Sequence, residues 1–76
     1  MKVHELVSQF GQNDKSPVIV YDYAVERVIF ENRIDYIQHP YNEEQEKIRE
    51  AEIDHLDVNG GKFYIYIDTT KREGNE

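Results

Sequence analysis

A chain of 76 residues with no cysteine, carrying 16 acidic against 9 basic residues, excludes several functions at once. It has no disulfide, thiolate metal site or cysteine nucleophile, and a net charge of −7 repels nucleic acid and anionic lipid. The chain is one domain near the lower size limit for a self-standing core, so a second copy is one source of added stability.

The charge is uneven. Residues 1–39 hold six acids and four bases, whereas residues 40–76 hold ten acids and five bases. An electrostatic partner should therefore be basic, and proteins that handle nucleic acid are the largest class of basic surfaces in a cell. The longest apolar run, Val18-Ile19-Val20-Tyr21, is far short of the roughly 20 residues of a membrane span. The opening MKVHELV lacks the basic start and apolar middle of a signal peptide. The expectation is a soluble, intracellular protein.

In chain order, Val3, Leu6, Val7 and Phe10 fall at i, i+3, i+4 and i+7, which predicts a short helix over residues 3–10 stopped by Gly11. A polar loop leads to Pro17, and PVIVYDY (17–23) reads as a central strand, apolar on both faces. VERVIFE (25–31) reads as the next strand, with Val28 and Phe30 pointing one way, although the link at Ala24 has no Gly or Asn turn signal. Ile34, Ile37 and Tyr41 predict a helical turn ended by Pro40. Asn42 is placed to cap a further helix, with Gln45 three residues on. That helix offers only Ile48 and Ala51 to a core, so residues 41–50 read as helix or surface loop.

The clearest element is the last hairpin, 52–58 and 62–68, joined by Asn59-Gly60-Gly61. Pairing Val58 with Phe63 and Leu56 with Ile65 sets apolar against apolar, and His55 then faces Tyr66. Val58, Leu56, Phe63, Ile65 and Ile67 would face the N-terminal helix. Tyr64, Tyr66, His55, Asp57 and Ile53 would take the other face, where Tyr21 and Tyr23 could join them. The predicted fold is α+β: an N-terminal helix on a small antiparallel sheet of about four strands, with a short acidic helix or loop between strands. Residues 1–68 form the domain and 69–76 a polar, disordered tail.

MKVHELVSQF, PVIVYDY and REAEIDHLDVNGGKFYIYI together resemble a family of small acidic proteins from phages and prophages of Gram-positive bacteria, streptococci especially. The resemblance covers about two-thirds of the chain and lies in core and turn patterns. It implies the fold, a place in the cytoplasm of the bacterial host, and an inhibitory role, since some such proteins are anti-CRISPR inhibitors of type II CRISPR nucleases. No active-site residue comes with it, and the acidic segment 41–50 departs from the family pattern.

Three constellations carry candidate chemistry. The carboxylates Glu43, Glu44, Glu46, Glu50, Glu52, Asp54 and Asp57 are answered locally only by Lys47 and Arg49. They either solvate a helix or meet the Lys and Arg of a nucleic-acid channel in the manner of a phosphate mimic. Tyr64 and Tyr66 sit on a sheet face that one short helix cannot cover. That face is either covered by residues 32–51 or is an interface with a partner or a second copy. A zinc site built from His39, His55 and one or two carboxylates is chemically allowed, though at no recognised spacing. With no nucleophile–base motif and no phosphate-cradling glycine loop, no enzyme is expected. The reading is a binding protein that occludes a basic surface of a nucleic-acid-handling host protein, with no cofactor and no direct contact to nucleic acid or membrane. The alternatives are a homodimeric phage assembly protein or a small zinc-binding protein.

Overall fold

The computed structural model describes residues 1–11 and 14–70. They form α1 (Val3–Val7), β1 (Pro17–Asp22), β2 (Arg27–Arg33), α2 (Asp35–Gln38), α3 (Glu43–Glu50), β3 (Ile53–Asn59) and β4 (Lys62–Ile67). The class is α+β, as the sequence predicts, but the sheet is mixed rather than antiparallel. Its order is β2-β1-β4-β3, with β1–β2 and β3–β4 antiparallel and β1–β4 parallel. The crossover through α2 and α3 returns the chain to enter β3 in the direction of β2, so the closing hairpin lays β4 beside β1 in parallel.

All three helices pack on one face of this sheet. Val3 and Val7 of α1, Ile34 and Ile37 around α2, and Ile48 of α3 close over Val18, Val20, Ile65 and Ile67, and all nine are buried. α1 is shorter than the stripe Val3-Leu6-Val7-Phe10 predicts. It ends at Val7, and tight turns bring the Gln9 and Phe10 N–H groups to the Leu6 and Val7 carbonyls. Phe10 still reaches the core, edge-on to Phe63 at 5.0 Å. α3 is a helix and not a loop: Asn42 Oδ1 accepts the Gln45 N–H at 2.9 Å, and Gln45 Oε1 accepts the Tyr41 N–H at 2.6 Å. Its thin apolar face is supplemented by Arg49, whose Nη1 donates to the Ile37 and Gln38 carbonyls at the end of α2. Among the described residues no helix is long and apolar enough to cross a membrane.

The last hairpin takes the predicted register: Leu56 opposite Ile65, Val58 opposite Phe63, His55 opposite Tyr66. Gly60 and Gly61, at φ +63° and +79°, form its two-residue turn between Asn59 and Lys62. Leu56 and Val58, expected to face the N-terminal helix, are instead exposed on the edge strand β3, and only Phe63, Ile65 and Ile67 of that set reach the core. Two further details differ from expectation, and both come from bulges. In β2 the register slips, so Phe30 opposes Val20 while Val28 opposes Tyr21. The two do not share a face, and Val28 is exposed while Phe30 packs on the core. In β3 a bulge at Asp54 puts Ile53 opposite Ile67 and against the core, not on the tyrosine face.

The β1–β2 link turns without glycine because Asp22 supplies the capping. Its backbone carbonyl accepts the Val25 and Glu26 N–H groups, and its carboxylate accepts the Ala24 N–H. Glu26 takes φ +55° to complete the turn. The same buried carboxylate accepts the Thr69 N–H at 3.1 Å and the Thr69 hydroxyl at 2.7 Å. Thr69, assigned by sequence to the tail, is thus tied to the sheet; residues 71–76 of that tail lie outside the described residues.

Candidate functional site: the open sheet face

With every helix on one side, the opposite face of the sheet has no covering layer among the described residues. Residues 32–51 do not fold over it; their buried side chains Ile34, Ile37 and Ile48 belong to the core on the helix side. Period-2 alternation delivers aromatic residues to the open face from neighbouring parallel strands. Tyr21 of β1 is the register partner of Tyr66 of β4, and Ile19 of Tyr64. Tyr23, just past β1, continues the row and is 39 % exposed.

These side chains form one connected cluster. The His55 ring stacks on Tyr66 at 4.2 Å and 15°. Tyr66 lies 5.9 Å from Tyr21 and 6.0 Å from Tyr23, and Tyr21 meets Tyr23 edge-on at 5.3 Å. Tyr23 is 6.1 Å from His55. The bulge brings Asp54 to the border of the cluster, where Oδ2 lies 3.2 Å from His55 Nδ1. Partial burial, then the Asp54 charge, push the Tyr23 phenol above its usual value, so its hydroxyl stays neutral at physiological pH. Asp57 opposes Tyr64 on the same face, and its Oδ1 accepts the Val58 N–H at 2.9 Å.

Family models, curated proteins and solved structures give no match to this chain.

The seven carboxylates singled out by the sequence do not form one surface. Glu43, Glu46, Glu50 and Glu52 line a groove of about 600 Å³ beside α3, together with Lys47, Ala51 and Thr69. Part of its charge is met internally, since Lys2 Nζ lies 3.3 Å from Glu50 and the amino terminus 3.2 Å from Glu52. Glu44 is exposed on α3 and does not line the groove. Asp54 and Asp57 belong to the open face with Tyr64 and Tyr66. The structure therefore splits the predicted site in two, and only the β3 acids join the tyrosines.

His39 and His55 are not brought together. His39 ends α2 and lines a cleft with His4, Phe10 and Arg49 in the helix layer, while His55 is on the far side of the sheet. Among the described residues no group of three His, Asp or Glu side chains is placed to hold a metal. In a regular strand Asp54 would point away from His55; the bulge brings it to the border of the cluster. The repeated Y-x-Y pattern, at Tyr21–Tyr23 and Tyr64–Tyr66, was the available signal for two strands contributing aromatics to one face.

Proposed function

We propose that this protein is a non-catalytic binding module whose open sheet face docks a positively charged protein partner. One observation carries the reading: the cluster of Tyr21, Tyr23, Tyr66 and His55 has no covering layer among the described residues and is bordered by Asp54 and Asp57. A contiguous aromatic patch left open on a small domain is the composition of an interface core, where Tyr supplies area at low entropic cost. Carboxylates at its border, within a net charge of −7, steer a basic surface toward it and repel nucleic acid and a second copy of the same chain.

Joined to the resemblance of the terminal motifs to streptococcal phage proteins, the specific form of this proposal is occlusion. The protein covers a basic surface of a nucleic-acid-handling host protein, in the first instance a type II CRISPR nuclease. The test is cleavage by a purified, guide-loaded type II nuclease in the presence of wild type, Tyr66→Glu and Glu46→Gln. Wild type and Glu46→Gln should inhibit and Tyr66→Glu should not. Full cleavage with wild type would dismiss the nuclease as target; equal inhibition by Tyr66→Glu would dismiss the open face.

A further inference from the structure

Resting on that reading of a basic protein partner, we infer that the partner enters as an extended segment added to the outer edge of β3, with apolar side chains beside Leu56 and Val58 and basic ones beside Asp57. Among the described residues β3 is the last strand of the sheet. The two-residue Gly60-Gly61 turn makes Asn59 and Lys62 a hydrogen-bonded pair, so by alternation Asp57 and His55 also bond to β4. The main-chain groups of Leu56 and Val58 therefore point away from β4. The Val58 N–H agrees with this, since it donates to Asp57 Oδ1 at 2.9 Å. The start of the same edge already holds added main chain: Lys2 bridges Glu52 in the antiparallel sense, and the Met1 carbonyl accepts the Ile53 N–H at 2.8 Å. Past Ile53, Leu56 and Val58 are 43 % and 56 % exposed. Outward main-chain groups flanked by exposed apolar side chains are a template for a further strand.

Charge selects the occupant. β3 carries Asp54 and Asp57 and no lysine or arginine, and Glu52 precedes it. A second copy would bring the same acids and the same net charge of −7 to this edge. The opposite edge, β2, mixes Arg27 and Arg33 with Glu31 and has no such preference. In an added strand alternate residues share a face. Apolar residues then lie beside Leu56 and Val58 on the helix side of the sheet, and the residues between them lie beside Asp57 on the open face. Asp57 Oδ1 serves the Val58 N–H, but a carboxylate has about four acceptor sites, so a lysine or arginine can share it.

The experiment titrates the full chain with alternating lysine–valine peptides of about eight residues, unmodified, N-methylated at the valines or N-methylated at the lysines, and follows amide exchange by NMR. In this geometry the valine N–H groups face β3 and the lysine N–H groups face away. Valine methylation should weaken binding roughly tenfold or more, whereas lysine methylation should leave it nearly unchanged. The Leu56 amide should exchange fast in the unbound chain and slow down with the unmodified peptide. Glutamate in place of the peptide lysines should abolish binding. Equal effects of the two methylation patterns, or a Leu56 amide already protected in the unbound chain, overturn the edge addition and leave the basic-partner reading standing. No binding of the unmodified peptide also overturns it, and inhibition of cleavage that is lost in Tyr66→Glu would still support the open face.

Discussion

The His55 imidazole lies flat on the Tyr66 ring, with centroids 4.2 Å apart and planes 15° apart, because the two are cross-strand partners on the uncovered face. Stacked cross-strand pairs contribute about 0.5–1 kcal/mol beyond their separate contacts. A double-mutant cycle of His55→Ala and Tyr66→Ala by urea unfolding should return a coupling of that size. Additive effects would mean that the stacking is incidental.

Asp22 ties both ends of the open face together. Its carboxylate joins the β1–β2 turn at Ala24 to Thr69 beyond β4. Asp22→Ala strands the part-buried N–H groups it serves and should cost about 2–3 kcal/mol, since three hydrogen bonds to a charged group are lost together. Thr69→Val, which removes only the hydroxyl, should cost about 1 kcal/mol. Equal effects of the two variants in urea melts would contradict this ranking.

The clasp also fixes the response to acid. Burial pushes the Asp22 carboxyl up, but hydrogen bonds from the Thr69 hydroxyl and the Ala24 and Thr69 N–H groups outweigh it and hold it below the ordinary value of 3.8. The Arg33 fork lowers Asp35, and Ser16 lowers Asp14. Groups lowered in the fold contribute stability that is present above the ordinary value and lost as pH falls through the lowered ones. Stability should therefore be flat from neutrality to about pH 5 and fall below about pH 4. Asp22→Asn should lower the plateau and shallow the acid slope. An unchanged slope would show that Asp22 does not titrate with unfolding.

Glu26 occupies the left-handed region at φ +55°, which costs a residue with a Cβ about 1 kcal/mol or more, partly offset in glycine by its entropy. Glu26→Gly should stabilise by about 0.5 kcal/mol, and Glu26→Val should destabilise by about 1 kcal/mol or more. The order of the thermal midpoints of the three proteins checks it. A glycine variant less stable than wild type would place the turn's constraint elsewhere.

Two chains of net charge −7 repel, and each would present Asp54 and Asp57 at the border of the same face. Light scattering after size exclusion should give a monomer at micromolar concentration and physiological salt, in wild type and Tyr66→Glu alike. A wild-type dimer dissociated by Tyr66→Glu would favour self-association instead.

Local patterns made much of this legible. The final hairpin and its register follow from the apolar alternation of Phe63, Ile65 and Ile67 and from a glycine turn, and the α3 cap follows from Asn42 and Gln45. What escaped depends on long-range placement. Nothing local to Val18–Asp22 or Phe63–Ile67 says that they run parallel. The bulges at Val28–Ile29 and Asp54 carry no glycine, and they alone decide which side Val28 and Ile53 take. The acidic stretch looks continuous in sequence, yet helix and strand geometry sends Glu43 and Glu46 to one side of the sheet and Asp57 to the other.

The most direct test is comparative capture from a bacterial lysate with wild type, Tyr66→Glu and Glu43→Gln/Glu46→Gln as bait, at low and high salt, quantified by mass spectrometry. The account predicts that wild type and the glutamine variant retain the same basic proteins, released by salt, and that Tyr66→Glu loses them. Retention by Tyr66→Glu together with loss in the glutamine variant would contradict it and move the binding surface to the α3 groove.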